Sequence, residues 1–245
     1  MSSYPVVLGV YSHRVSTDMG TGATKSQRTE ETYWFIRQVG PEKFDIQPLN
    51  IYHVPSGLRE FISWDKLSEY TPEPKYYQVN TVPALKTLYD KVAKGQGNLK
   101  AGDLDSAEKE FMKALMIDDQ NVEANYGLGE VYTEKNEVEK LEKILKVLMG
   151  LDEAFDIEHR AKLNSFGVQL RKNGHFEQAI VFMEKALKIN PDDDHIHFNL
   201  ARVYFDKKDF TICKRLLTDA LRLNPNFSEA KSFLSYCNKM SPASS

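Results

Sequence analysis

The chain has 245 residues, a formal net charge of -3, and 41% hydrophobic against 27% charged residues, a balance that suits a globular protein rather than a disordered one. Such a charge gives no general pull on phosphate, so nucleic acid is not an expected partner. No apolar run approaches the roughly 20 residues needed to span a bilayer, so no membrane is expected either.

The opening MSSYPVVLGVYSH has no basic stretch and only a short apolar one, so no signal peptide is expected and the expected location is the cytoplasm. YPVVLGVYS, ETYWFIRQV and FDIQPLNIYH are rich in Val, Ile and aromatics and predict strands, confined to residues 1–60. VGPEK predicts a hairpin loop, and Pro48 predicts a strand that lies at an edge or bends. FISWDKLSEY predicts a short helix capped by Ser63, followed by an extended linker, YTPEPKYYQVNTVP, because each proline turns its predecessor away from helix. Between the first two strands, GTGATKS lacks the glycine before lysine and the following helix that a phosphate loop needs, so it reads as a Gly/Ser/Thr loop. Residues 1–80 are thus expected to form a small β-containing module, and they resemble no recognised family.

From residue 81 the pattern changes. RAKLNSFGVQLRKNGHFEQAIVFMEKALKINP begins at Arg160, and 34 residues later DHIHFNLARVYFDKKDFTICKRLLTDALRLNP keeps the same frame. That frame also fits upstream, giving starts near 88, 122, 160 and 194. Each unit reads as two amphipathic helices. Small residues share columns where helices must approach closely: Gly95, Gly129, Gly167 and Ala201; Ala107, Ala179 and Cys213; Ala114, Ala186 and Ala220. The turns AGDL, KNEV, NGHF and KKDF separate the helices, and Pro191 and Pro225 stop the second ones. Leu148 stands in a small column, and four extra residues follow repeat two, which predicts a loosened joint at GLDEAFDIEH. Cys213 and Cys237 read as small hydrophobes in a helical core, in preference to a disulfide or a reactive thiol. FSEAKSFLSYCNKM predicts a terminal helix over 227–239 covering the last apolar face, and SPASS a disordered tail, 241–245.

The agreement of these columns in phase resembles the tetratricopeptide-repeat family over about residues 83–240. The resemblance implies a mainly α fold: a right-handed solenoid of four helix pairs plus a terminal helix, occupying residues 81–240 after the β-containing module. It also implies a non-catalytic module that binds proteins, an adaptor or assembly scaffold. Chaperone-binding members of the family carry a two-carboxylate clamp of Lys, Asn and Arg. The matching columns here hold Val92, Gln96, Gly127, Ala161 and Ser165, so that ligand is disfavoured.

In the repeat frame the first helix of each pair lines the concave face. This places Glu123, Tyr126 and Glu130 of repeat two, Asn164, Val168 and Arg171 of repeat three, and Phe198, Arg202 and Phe205 of repeat four on that face, with Tyr236 continuing the row. Of these, Tyr126, Glu130, Asn164, Arg171, Phe198, Arg202 and Tyr236 are the expected partner-binding residues: rings supply area, Asn hydrogen-bonds a backbone, and Arg grips a carboxylate. Arg171, Lys172 and Arg202 crowd one end, so the expected partner is a protein or peptide with an acidic segment lying over repeats three and four. No catalytic set, cofactor or metal is expected; Asp192–Asp194 precede a helix and read as capping residues. The alternative is a self-assembling homo-oligomeric scaffold. An enzyme housed in residues 1–80 is the third reading, weakened by the lack of a recognisable catalytic constellation.

Overall fold

The computed structural model describes residues 4–19 and 26–240. The chain forms two compact units, one of Met1–Lys94 with Met112–Asn121, the other of Gly95–Phe111 with Val122–Ser245. The boundary expected near residue 80 falls inside the first unit.

The first unit is built on a five-stranded antiparallel sheet of order β4-β3-β2-β1-β5. Its strands are β1 (Val6–Met19), β2 (Ser26–Gly40), β3 (Lys43–Pro48), β4 (Glu60–Ser63) and β5 (Thr71–Pro72). Two of these lie beyond residue 60 or start at it, which corrects the expected limit; both are too short to show a period of two. β1 and β2 pair from Val6↔Gln38 to Met19↔Ser26, so the ladder runs up to both ends of the segment read as a loop. All of GTGATKS but Ser26, and the tail 241–245, lie outside the described residues. β3 is internal rather than an edge, and Pro48 is tolerated because it ends the strand, past the last β4 partner at Ile46.

Period-two alternation sorts this sheet into two faces. Ile36, Phe44, Ile46 and Ile62 form a buried cluster on one face, with Tyr11, Trp34, Leu67 and Tyr70 packed against it. The other face carries an Arg37–Asp45 ion pair across β2 and β3 at 2.7 Å, Tyr33 stacked on Tyr76, and Phe35 against Tyr77. Gly9 sits at a β-bulge with φ +108, where a Cβ would stand 3.3 Å from the Tyr77 ring; both facts call for glycine.

The expected extended linker is instead helical. After α1 (Trp64–Leu67), which follows Ser63 without a side-chain cap, α2 (Pro74–Tyr76) and a π turn (Tyr77–Thr81) lead without interruption into α3 (Val82–Lys100). The prolines permit this because each has a tolerated place. Pro72 ends β5, Pro74 occupies the first helical turn, and Pro83 follows the π turn, where Val82 N–H donates to the Tyr77 carbonyl five residues back.

The repeats read from the sequence are present as helix pairs: α3 with α4 (Leu104–Leu115), α5 (Val122–Glu134) with α6 (Val138–Gly150), α7 (Arg160–Lys172) with α8 (Phe176–Ile189), and α9 (Asp194–Asp206) with α10 (Phe210–Leu223). The terminal helix α11 is Ser228–Met240, one residue later than expected at each end, with Phe227 buried just before it. Leu128, Tyr132, Leu163, Phe166 and Leu170 are buried as the apolar stripe requires, and so are the alanines of the small columns. Each inter-helix turn places one residue in the left-handed region at the same repeat position: Gly102, Asn136, Gly174 and Lys208. Gly and Asn suit that conformation; lysine pays for it in strain.

Neighbouring repeats are also joined by a polar ladder. Lys135 reaches Asp105 and Glu108 of the repeat before it, and Lys207 reaches Glu177 of the repeat before it from the equivalent place two pairs further on. Gln169 donates to Glu134, and Asn199 donates to Asn164.

The extra residues after repeat two do not leave an open joint. They fold into two 3-10 turns, Asp152–Phe155 and Ile157–His159. Ala154 and Phe155 are buried, and the Phe155 ring lies 5.2 Å from Phe182. Asn190 anchors the insertion from repeat three by donating to the Phe155 carbonyl at 2.6 Å. Leu148 is itself fully buried, so its bulk is accommodated in the packed array.

Candidate protein-interaction surface

Two adjoining hollows lie along the row of first helices. The larger, of about 570 Å³, runs between α9 and α11 and is lined by Phe198, Arg202, Ser228, Glu229, Ser232, Phe233 and Tyr236. The second, of about 390 Å³, is formed on α7 by Asn164, Ser165, Val168, Gln169 and Lys172. The aromatic floor of the larger one is continuous: Phe198 lies 4.9 Å from Phe227 and 6.2 Å from Phe233, while Phe205 lies 5.0 Å from Phe233 and 5.7 Å from Tyr236. Phe205 is therefore part of the packed floor, and Tyr236 stays 49% exposed at the rim.

The two arginines differ in state. Arg171 is not the free grip for a partner's carboxylate that was expected: its side chain is 12% exposed and its Nη1 donates to Asp206 at 2.6 Å. Arg202 has its guanidinium 5.8 Å from the centre of the Phe198 ring, and no ion pair within 4 Å involves it among the described residues. Burial, followed by the nearby Arg171 charge, holds the Arg202 pKa below its ordinary value. The Asp206 carboxylate, which pairs with Arg171, offsets this only in part. Asn164 donates to the Arg160 carbonyl and accepts from Asn199, which fixes its amide at the hollow's edge.

Repeat two departs from the expected row. Tyr126 is 1% exposed, and its hydroxyl donates to the Ala154 carbonyl at 2.7 Å. It cannot meet a partner, because the insertion lies over it, and Phe166 and Phe182 meet its ring edge-on. Glu130 is half-buried, and burial pushes its carboxyl up, which the neighbouring Lys162 only partly offsets. Glu123 is a structural hub: Gln96 donates to it at 2.8 Å, Lys162 pairs with it, and His159 lies 3.6 Å away. Burial would raise its pKa, but these partners outweigh that and bring it down to about 2.

Asp193, Asp194 and His195 lie together, yet their role is structural. Asp193 caps α9 by accepting from the His195 and Ile196 amides, and the Arg160 guanidinium pairs with both Asp193 and Asp194. The Arg160 guanidinium thus already engages both carboxylates. The sequence reading missed Asp206, which neutralises Arg171 from one repeat further on, and the α11 lining residues Ser228, Glu229, Ser232 and Phe233. Asp206 lies 35 residues beyond Arg171, close to the repeat period, and that spacing was the available signal.

The model of the tetratricopeptide repeat matches residues 98–160 and 170–237, more than half of the chain. Superkiller protein 3 of Schizosaccharomyces pombe is 29% identical over 141 residues, covering 56% of this chain and 10% of that protein. Protein O-mannosyl-transferase Tmtc3 of Drosophila melanogaster is 30% identical over 86 residues, covering 35% of this chain and 9% of that protein. The chain thus spans about a tenth of the length of these curated relatives. Among solved structures, Pseudomonas aeruginosa PilF is 21% identical with a TM-score of 0.48, over 63% of this chain and 69% of that one. A crystal structure of MamA is 20% identical with a TM-score of 0.46, over 60% of this chain and 83% of that one. No described helix is long and apolar enough to cross a membrane. By its family match and its stacked helix pairs, the chain belongs to the tetratricopeptide-repeat family.

Proposed function

We propose that the protein is a non-catalytic interaction module that binds an acidic segment of a partner protein along α7, α9 and α11. The observation that carries this reading is Arg202: a cation with no ion pair within 4 Å among the described residues, on the aromatic floor of a groove of about 570 Å³. Lys172 lines the second hollow and adds an exposed cation, whereas Arg171 is already paired with Asp206. A segment with an aromatic or aliphatic residue between two carboxylates fits this layout. The ring covers Phe198 and Phe233, and the carboxylates reach Arg202 and Lys172. The third described hollow of note, about 240 Å³ between α6 and α8, is smaller and flanked by Glu142 and Glu177, which disfavours the same ligand.

The test is fluorescence polarisation with labelled peptides of that pattern and with their lysine-substituted counterparts. Arg202→Glu with Lys172→Glu should weaken acidic-peptide binding by about tenfold or more, since each lost charge pair is worth about 1 kcal/mol or more at a half-buried site. Unchanged binding in a variant with a native helical spectrum moves the site elsewhere. Light scattering on the intact chain addresses the scaffold reading: oligomers that grow with concentration would favour self-assembly over the adaptor role.

A further inference from the structure

Cys213 on α10 and Cys237 on α11 are 24 residues apart in the chain, yet their Sγ atoms stand 3.5 Å from each other. Both are buried free thiols. They occupy facing positions in an antiparallel pair, Cys213 in the first turn of α10 and Cys237 in the last turn of α11. The sulfurs are already in van der Waals contact, and bond formation needs an approach of about 1.5 Å.

We propose that this pair is a modification site: a small neutral hydroperoxide converts Cys213 and Cys237 into an intramolecular disulfide that staples α11 to α10. One thiolate attacks the peroxide oxygen, breaking the O–O bond and leaving a sulfenic acid and an alcohol or water. The second thiol attacks the sulfenic sulfur, forming the S–S bond and releasing water. The two sulfurs are oxidised, and the peroxide is reduced. A hydroperoxide suits buried sulfurs because it is small and uncharged, whereas a bulky charged disulfide would have to enter the packed interface.

The closed state protects the pair. Burial, followed by the hydrogen bond with Cys237, pushes the Cys213 thiol up to about 12, so little thiolate exists while α11 is packed. Oxidation therefore proceeds through opening of α11. Cys237 lies three residues before the helix end at Met240, the part of a terminal helix that frays first. Once formed, the bond closes the connection between the two helices and makes that opening rarer. α11 carries Phe233 and Tyr236, one wall of the larger hollow, so the staple also fixes that wall in place. The chemistry and its readouts do not depend on any partner binding there.

The experiment treats the intact chain with hydrogen peroxide under native conditions, followed by alkylation in denaturant, peptide mass mapping and hydrogen exchange. The expected product has lost two hydrogens, joins the Cys213 and Cys237 peptides, and exchanges the α11 amides on the order of 100-fold more slowly, reversibly by a thiol reductant. Cys213→Ala keeps a small residue in a column otherwise held by Ala107 and Ala179, so it should fold and show neither the link nor the slowing. Oxygen added to either cysteine without the link overturns the proposal. So does a link between two chains, or equal slowing in Cys213→Ala.

Discussion

Replacing Phe155 by alanine tests whether the extra residues between repeats two and three act as a plug. The side chain is 1% exposed, faces Phe182 at 5.2 Å, and carries the Lys185 ammonium 5.7 Å above its ring. Truncating a fully buried phenylalanine costs about 3–5 kcal/mol, and the lower end applies where neighbours can collapse inward. The Lys185 stem can do so, which sets the expected loss at about 3 kcal/mol, a large share of the roughly 5–15 kcal/mol that holds a domain folded. Tyr126→Phe removes the donor to the Ala154 carbonyl and leaves that oxygen buried, for an expected loss of about 1–2 kcal/mol. Both residues fasten the same turn, so the double variant should lose less than the sum by at least about 0.5 kcal/mol. Urea unfolding followed by far-UV circular dichroism measures all three, with hydrogen exchange at residues 152–159 as a local readout. A loss below about 1 kcal/mol for Phe155→Ala, or strict additivity of the pair, would refute the plug.

Gly127→Ala should destabilise by about 1–3 kcal/mol, because its Cβ would stand 2.3 Å from the buried Phe111 ring. Gly167→Ala should be near neutral by the same unfolding assay: the atom it meets at 2.3 Å is the methyl at the far end of the unbranched Met183 side chain, and alanine gains about 1 kcal/mol of helix propensity. Lys208→Gly should raise stability by about 1 kcal/mol, since Lys208 has φ 64 where the equivalent turns hold Gly or Asn; an unchanged or lower midpoint counts against strain there. Glu123 has a folded pKa of about 2 against an ordinary 4.5, so its stabilisation is complete above 4.5 and is lost as pH falls toward 2. Discounted for its partial exposure, that contribution is about 2 kcal/mol. The gap between wild type and Glu123→Gln should therefore close over that interval, and a gap independent of pH argues against the linkage.

The array was legible because each repeat meets the same neighbours, so the same restriction recurs in the sequence: a small residue where helices touch, and a left-handed residue at each turn. What stayed hidden depended on contacts made once. Three prolines between residues 72 and 83 read as helix breakers, yet a strand end, a first helical turn and a π turn accommodate them singly. Tyr126 shares its repeat position with Asn164 and Phe198, but only repeat two is followed by an insertion that folds back over it. Arg171 and Arg202 look alike in the sequence; the carboxylate of Asp206 separates them. The proximity of Cys213 and Cys237 follows from the antiparallel turn between α10 and α11, which brings the start of one helix to the end of the other.

The polar ladder has a consequence for how the array melts. In a solenoid, all-or-none unfolding needs the coupling between adjacent units to exceed the differences in their individual stabilities. Part of that coupling here is ionic, through Lys135 with Asp105 and Glu108, and through Lys207 with Glu177. The Debye length shrinks from about 10 Å at 0.1 M salt to about 3 Å at 1 M, which weakens the more exposed links, Lys135–Asp105 and Lys207–Glu177, while leaving apolar burial within each pair intact. Added salt should therefore act on cooperativity more than on average stability: one sharp transition at low ionic strength broadens at high ionic strength as repeats begin to unzip from the weaker end.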